Sequence, residues 1–420
     1  MRTRMFVVAS ALAALAVLTA CGTGSQAPTL KADVARAVPA KDAPVGPLAT
    51  AMTRFGYDLT RTAGDPKANW VVSPLSIAYA FGMARAGAGG ATAAELDKAF
   101  GFPASGTDEA FNAISRQIVT AEVPPSQSAA RRKDGSPLPP VVCVGNGVFT
   151  QDKLAIGQPF LRTLAAQYGA GVHPVDFGSP KTKDVIDAWV RAQTAGRITH
   201  LFDQLPPSTK LVLANAVYLR AAWDRDFEAR QPGTFTRADG GTVQVPMISQ
   251  QIGLRYASGK DWQAVDVPYA GGKLAMRIMV PAPGGSPDAL LAPDVMAAAA
   301  AGMRPARVGI EMPAWDFSTD LSLVEPLRKL GVHAAFDPSA DFSAIHPGLY
   351  VEQAVHRATI TVDQWGTEAA AVTGLVMPLS EPAPPDFVVR ADRPFAFAIV
   401  DTATGVPLFV GHVADPTAKG

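Results

Sequence analysis

One segment near the end of the chain limits what the whole sequence can fold into. It runs from Gly366 through small residues to Thr373, and a proline-rich stretch, 377–385, follows it. Alanine favours a helix, but glycine bounds this run on one side and the prolines cannot continue a helix on the other. Two interpretations are open: a long surface loop, or a loop that can become a β-strand.

The second interpretation depends on the side chains along the extended segment. Alternate residues of a strand point to the same face. One such face carries Thr367, Ala369, Ala371, Thr373, Leu375 and Met377. The short groups at the start of this face could slide into a tight sheet that has already formed.

The rest of the chain predicts one mixed α+β domain, because no second linker or internal repeat interrupts it. Ser73 followed by Pro74 predicts a capped helix start. Helical spacing is found at 48–62, 74–85, 92–100, 158–168, 182–195 and 318–331. Strand-like runs are found at 141–150, 211–219, 243–249, 264–269, 274–280 and 307–313, and the chain from Leu349 on is mostly strand-like.

The amino terminus resembles an export signal. Arginines precede a predominantly apolar run, 5–18, which is long enough for a signal-peptide core and short for a membrane span. The sequence Leu18-Thr19-Ala20-Cys21 resembles the bacterial lipobox, in which the cysteine is lipidated and the chain is cut before it. Ordinary secretion with a coincidental cysteine is the alternative. We expect a signal peptide at 1–20, a lipidated Cys21 with a flexible tether over 21–45, and a folded domain at 46–418 outside a bacterial membrane.

Composition and motifs argue against several classes of function. The 37 basic and 37 acidic residues balance, so no electrostatic footprint for nucleic acid exists. The six histidines form no HExxH or other close metal-ligand pair, and phosphate-loop and nucleophile-elbow motifs are absent. We expect no metal, no cofactor and no catalytic residues. With Cys21 lipidated, Cys143 is left as a lone thiol that we expect to lie buried in a strand.

Ordered blocks across residues 46–416 resemble the serpin family. The stretch NWVVSPLSI, 69–77, places two serines around a proline at the start of the second predicted helix. Other blocks follow in the family's order: LANAVYL (213–219) with Trp223, VPM (245–247), VPY (267–269), ADFS (340–343), HRA (356–358) and ADRPF (391–395). Each block is weak alone, and the ordered set is specific.

The resemblance implies a serpin fold with three β-sheets, about nine helices and an exposed reactive-centre loop. In this family the native form is metastable, and after a protease attacks the loop, the loop inserts as an extra strand into the largest sheet. The chain would then be a suicide-substrate inhibitor of serine proteases and not an enzyme. The resemblance implies a hinge made of Gly366, Thr367, Glu368, Ala369, Ala370, Ala371, Val372 and Thr373.

The resemblance also locates the bond that a protease would cut. By family convention the cut follows the fifteenth residue counted from the hinge glycine, which is Ser380, with Glu381 after it. Cleavage after Leu379 or Met377 is the alternative. No Arg or Lys lies between Gly366 and Val389, which implies an elastase-, subtilisin- or chymotrypsin-like target rather than a trypsin-like one.

Five further residues match family positions beneath the large sheet. The shutter, a polar cluster under the point where this sheet opens, would contain Ser73, Ser76, Asn215 and His356. Trp223 would lie under the top of the sheet, where the loop enters.

Two residues depart from the family pattern. Gln364 stands where a glutamate is usual, and Trp365 is bulkier than its usual counterpart. These departures keep open a non-inhibitory surface lipoprotein that acts as a chaperone or ligand-binding protein. In either case we expect a monomer, and for the inhibitor the partners would be a target protease and, through Cys21, a membrane.

Overall fold

The structure is a computed structural model, and it describes residues 28–121, 124, 132, 135–228, 231–368 and 384–419. Several expected sites lie outside these ranges: the signal peptide, Cys21, Ala369, Ala370, Ala371, Val372, Thr373, Met377, Leu379, Ser380 and Glu381. No helix in the described ranges has both the length and the apolar character needed to cross a bilayer.

The described residues contain eight α-helices, of which the second lies at the centre of the molecule. They are α1 (Val45–Ala63), α2 (Pro74–Arg85), α3 (Gly90–Phe100), α4 (Thr107–Ile118), α5 (Gln158–Thr163), α6 (Thr182–Gln193), α7 (Pro293–Gly302) and α8 (Val324–Lys329). Every residue of α2 from Pro74 to Ala84 is buried. The helix start is confirmed, because the Ser76 backbone N–H donates to the Ser73 hydroxyl over 3.1 Å.

Fifteen strands form two sheets within the described residues. They are β1 (Trp70–Val72), β2 (Val141–Gln151), β3 (Val172–Val175), β4 (Leu211–Ala222), β5 (Gln231–Thr236), β6 (Thr242–Ser258), β7 (Trp262–Pro268), β8 (Leu274–Pro281), β9 (Arg304–Pro313), β10 (Trp315–Ser322), β11 (Gln353–Asp363), β12 (Gly366–Thr367), β13 (Phe387–Arg390), β14 (Phe395–Asp401) and β15 (Pro407–Val413). The six-stranded sheet has the order β10-β11-β12-β4-β2-β3, and the other nine strands form the second sheet. Cys143 lies buried in β2, as expected.

The nine-stranded sheet combines two of the three sheets that the sequence led us to expect. Strand β6 is long enough to belong to both. It pairs with β5 over its first residues, with β9 over Met247–Tyr256 and with β7 at its end. The hydrogen bonds of β6 therefore join these two expected sheets into one.

Strand β10 occupies part of a segment that the sequence predicted as a helix. The prediction for 318–331 is wrong up to Ser322, and the helix α8 is limited to Val324–Lys329. Eight residues of β10 pair with β11 in antiparallel register. The alternation of buried Trp315, Phe317 and Thr319 with more exposed neighbours is the strand signal that helix spacing obscured.

The chain ahead of α1 packs on the domain. Leu30 and Val172, on β3, exchange two backbone hydrogen bonds of 2.7 and 2.9 Å. On α4, Asn112 accepts a hydrogen bond from Arg36 Nε over 3.1 Å and donates one to the Ala37 carbonyl over 3.0 Å. We call residues 28–37 the amino-terminal strap. The expectation of a flexible tether up to residue 45 is wrong for the strap, because its polar groups find partners on the protein.

Arg36→Ala tests how much the strap contributes to stability. The change should lower the free energy of unfolding by about 1–3 kcal/mol, because it removes the donor to Oδ1 of the fully buried Asn112. Urea unfolding measures the difference. Lys31→Ala is the control: its exposed ammonium donates to the Gly169 carbonyl, and its loss should cost less than about 0.5 kcal/mol. A loss in Arg36→Ala as small as the one expected for Lys31→Ala would contradict the strap's role.

Candidate functional site

Among the described residues, the centre of the six-stranded sheet has a position between β11 and β4 that no strand fills along its whole length. These strands pair in parallel at one end only, over Gln353–Arg357 and Val212–Ala216. At the other end β12 lies between them and is antiparallel to both. Between the two ends, 358–360 and 217–220 face each other and, within the described ranges, pair with no strand across this gap. Strands β11 and β4 therefore pair with each other at one end, which we call the closed end, and are separated by β12 at the other.

Gly366 can occupy the mouth of this gap only because it lacks a side chain. Its φ is +150°, a region that favours glycine. A Cβ atom there would lie 2.1 Å from the Ala221 carbonyl oxygen. The hinge glycine expected from the sequence is thus required by the close approach of β12 to β4.

Thr367 points from β12 into the protein and contacts two stacked aromatic rings. Its hydroxyl lies 2.5 Å from the Tyr269 hydroxyl, and both residues are buried. Trp223 stacks on Tyr269 with ring centroids 4.6 Å apart and an interplanar angle of 9°. The Trp223 indole N–H donates to the Asp363 carbonyl over 2.9 Å. Trp223 therefore packs beside the turn between β11 and β12, next to the mouth of the gap.

The two departures from the family pattern lie in the turn between β11 and β12. The carbonyl of Gln364 accepts from the Phe227 N–H, and that of Trp365 accepts from the Trp223 N–H, each over 3.0 Å. The Asp363 carboxylate accepts from the Trp365 and Gly366 N–H groups over 2.8 and 3.2 Å. Backbone groups at 364 and 365 make these turn contacts.

Glu368 follows β12 directly and lies on the outer face of the sheet. Its φ is +55°, unusual for a residue with a side chain. Its carboxylate forms an ion pair with Arg197 Nε at 2.5 Å, and Arg197 Nη2 also donates to the Thr361 hydroxyl over 2.6 Å. Burial raises the pKa of Glu368 to about 7, although Arg197 opposes this shift. The described part of the hinge thus stops at a partly desolvated ion pair.

The four expected shutter residues meet at the closed end of the gap. Asn215 Nδ2 donates to the Ser76 carbonyl and hydroxyl over 2.6 and 2.5 Å, and to Asn146 Oδ1. His356 Nε2 accepts from the Ser73 N–H over 3.1 Å. Asn146, Asn215 and His356 occupy paired positions on β2, β4 and β11. The cluster therefore joins three neighbouring strands to the start of α2.

His356 is held neutral in this cluster. The imidazole is fully buried, and desolvation lowers its pKa from 6.5 to about 3. Because Nε2 accepts a hydrogen bond from the Ser73 N–H, Nδ1 carries the ring proton and donates to Asn215 Oδ1 over 2.6 Å. A second proton on the ring would remove the acceptor for the Ser73 N–H.

Three residues of the site were not predicted from the sequence, because the sequence around them gives little indication of their contacts. Asn146 lies between two glycines in an otherwise apolar strand, which marks a polar side chain inside the sheet. Tyr269 ends the VPY block, but its contact with Thr367 depends on tertiary structure. Arg197 follows α6 and carries no motif.

Comparisons with known proteins agree with this geometry. The family model Serpin (serine protease inhibitor) matches residues 50–416. An uncharacterized serpin-like protein of Thermococcus kodakarensis is 32% identical over 403 residues, 93% of this chain and 90% of that protein. The native structure of the thermophilic serpin tengpin matches with a TM-score of 0.79 and 23% identity, over 93% of this chain and 100% of that one. Thyroxine-binding globulin in complex with thyroxine matches with a TM-score of 0.75 and 25% identity, over 88% and 100%.

The fold and the family match together define a protein of the protease-inhibitor class. The chain belongs to the serpin family, and the expected serpin fold is confirmed.

The burial of His356 predicts a pH-dependent stability. The imidazole of His356 takes up a proton near pH 6.5 in the unfolded chain but only near pH 3 in the folded protein. The stabilisation that comes from the buried neutral ring is therefore complete above pH 6.5 and is lost as the pH falls towards pH 3. From about pH 7.5 to about pH 5 it should reduce the free energy of unfolding by about 2 kcal/mol. Denaturant unfolding at several pH values measures the slope.

A control variant isolates this residue from the other titrating groups. His356→Gln should be less stable at neutral pH and should lose this part of the slope. His346→Gln removes a half-buried ring outside the shutter and should keep it. If the slope survives in His356→Gln, another group is responsible.

Proposed function

We propose that the protein is a suicide-substrate inhibitor of serine proteases. The observation that carries this proposal is the gap between β11 and β4, with β12 already seated at its mouth. A protease would cut the loop after Ser380 and remain attached as the acyl-enzyme. The freed segment would then enter the gap as a strand antiparallel to both neighbours.

The registers of β12 predict where the inserted residues would lie. Continued from Gly366 opposite Ala222 and Asp363, both registers place Thr373 between Asn215 and His356. Those two residues are paired and hydrogen-bonded to each other at the closed end. The Thr373 hydroxyl, on the inward face with Thr367, could take over the bonds that insertion breaks. The shutter would thus exchange hydrogen bonds without leaving polar groups unpaired.

The free energy of insertion is sufficient to trap an enzyme. If roughly ten residues each gain a net 0.5 to 1.5 kcal/mol from pairing, the total is on the order of 10 kcal/mol. This is comparable to the stability of a whole domain. A protease that is carried along with the inserted strand can therefore be distorted.

The residues near the cut favour a target with an apolar or small primary pocket. Ser380 is the favoured position before the cut, and Leu379 and Met377 are the alternatives. Neither arginine nor lysine occurs from Gly366 to Val389. We propose an elastase-, subtilisin- or chymotrypsin-like serine protease as the partner.

We also propose that the protein acts as a monomer outside a bacterial membrane. The lipobox-like sequence before Cys21 supports a lipid anchor on a mature chain that starts at this residue. An inhibitor placed there would protect surface proteins from proteases in the surroundings.

A second candidate function is the binding of a small apolar molecule. A cleft of 1040 Å³ lies between α1, α7 and the nine-stranded sheet, and its lining includes Met296 and Met303. Arg277 in this cleft is bound in a bidentate pair by Asp266, at 2.8 and 3.0 Å. The similar fold of thyroxine-binding globulin in complex with thyroxine supports this candidate. A loop that is cut without trapping any protease would favour it over inhibition.

Complex formation tests the inhibitor directly. The purified chain from residue 22 onward, mixed with an elastase, a subtilisin and a chymotrypsin, should give a band near the summed mass on a denaturing gel. Thr367→Arg should abolish this band while the loop is still cut, because a long charged side chain cannot replace the buried threonine beside Tyr269. Thr50→Arg changes an exposed threonine on α1 and should leave the band unchanged. Inhibition by Thr367→Arg at the parent's level would refute the hinge assignment.

Loop cleavage should also stabilise the protein. When a protease outside the trapped class cuts the loop, the freed strand should still enter the gap, so the melting temperature should rise sharply. Scanning calorimetry of the intact and cut forms measures the rise. An unchanged melting temperature would show that no strand enters the sheet.

A further inference from the structure

Arg220 is a buried charge whose hydrogen bonding is incomplete within the described residues. It lies on β4 within the apolar run Leu211–Ala222 and is only 4% exposed. Within the described residues, its Nε and Nη1 atoms are shielded from solvent and have no hydrogen-bond partner. Burial lowers the pKa of this guanidinium, which shows that its surroundings disfavour the charge. A buried charge of this kind is strongly destabilising unless a partner reaches it.

Arg220 and Glu368 lie on the same face of the six-stranded sheet. Val212, Ala214 and Ala216 pack with α6 in one cluster outside the sheet, and alternation along β4 places Arg220 on that outer face. Asn215, one position out of phase, contacts α2 on the inner face. On β12, Thr367 points inward to Tyr269. Alternation therefore directs Glu368 outward as well.

The register of β12 brings these two residues opposite each other when the strand is extended. Gly366 faces Ala222 and Thr367 faces Ala221, so the next pair is Glu368 with Arg220. In the native form the turn of the backbone at Glu368 interrupts the strand at this step. Directly opposed charges of opposite sign stabilise neighbouring strands.

We propose that Arg220 is the positioning residue that receives Glu368 when the loop enters the sheet, so that the inserted form gains an ion pair that the native form lacks. The inference rests on the proposed function, because it requires insertion. On the other side of the gap, the same register places Thr361 opposite Glu368. Arg197 donates to the Thr361 hydroxyl and can remain close. Insertion thus adds Arg220 to the native pair.

The pairing also couples insertion to pH. Burial raises the pKa of Glu368 to about 7 in the native form; Arg197, Tyr218 and Arg220 lower it, and Asp316 raises it. Closer contact with Arg220 should lower this pKa, so Glu368 releases a proton on insertion. Insertion is then favoured as the pH rises towards about 7 and gains nothing further from this group above it.

A double-mutant cycle on the rise in melting temperature caused by loop cleavage tests the pairing. Arg220→Met should raise the melting temperature of the intact form and reduce the rise on cleavage. Glu368→Gln should also reduce the rise, and the double variant should lose no more than Arg220→Met alone. Arg220→Lys keeps the charge and should retain most of the rise. Arg277→Met, which removes a buried arginine already paired with Asp266 on β7, outside the six-stranded sheet, is the matched control and should leave the rise unchanged.

Two results would overturn the pairing. One is an unchanged rise in Arg220→Met, and the other is a double variant in which the two losses add. A further readout separates pairing from simple packing: the rise should increase from pH 6 to pH 8 in the parent and stay flat in Glu368→Gln. If cleavage gives no rise even in the parent, the proposed function fails and the pairing fails with it.

Discussion

Five parallel residue pairs between β11 and β4 hold the six-stranded sheet closed at one end. The rest of the candidate site depends on this short ladder, because the described part of the chain places no third strand between β11 and β4 at that end. Parallel pairing is slightly less stable per residue than antiparallel pairing. A strand that is antiparallel to both neighbours would replace these pairs and add new ones along the unpaired edges. The native arrangement is therefore one that a freed strand could improve.

The polar groups at the ladder make such a replacement feasible. Buried amide and imidazole groups in a fixed core would normally resist any opening, since each lost hydrogen bond leaves an unsatisfied group. Here Asn215 distributes its amide hydrogens among three acceptors. Asn146 Nδ2 has no hydrogen-bond partner within the described residues. Because the cluster has an unused donor, its hydrogen bonds can be exchanged for others at little cost in free energy. Polar residues at this position therefore allow the strands to separate, whereas an apolar cluster would keep them together.

The fold could be predicted from the sequence because it depends on local patterns in a fixed order, and the need for glycine at 366 has a local cause as well. The alternatives to glycine there clash with Ala221. The roles of Asn146, Tyr269 and Arg220 could not be predicted, because they depend on register between strands far apart in the chain. The seating of Thr367 in the sheet also depends on a balance between strand pairing and the turn at Glu368, and no single-sequence pattern encodes that balance. At 318–322, pairing with β11 prevailed over helical spacing.

The amino-terminal strap changes how the protein would sit on a membrane. Its first described contacts are on β3, the outer strand of the six-stranded sheet. Six residues, 22–27, lie between Cys21 and Pro28, so these two residues can be at most about 25 Å apart. If Cys21 carries a lipid, this edge of the protein stays within about one small-domain diameter of the bilayer. An approaching protease would then meet the inhibitor in a restricted set of orientations, and the lipid surface itself would act as a filter on which enzymes can reach the loop.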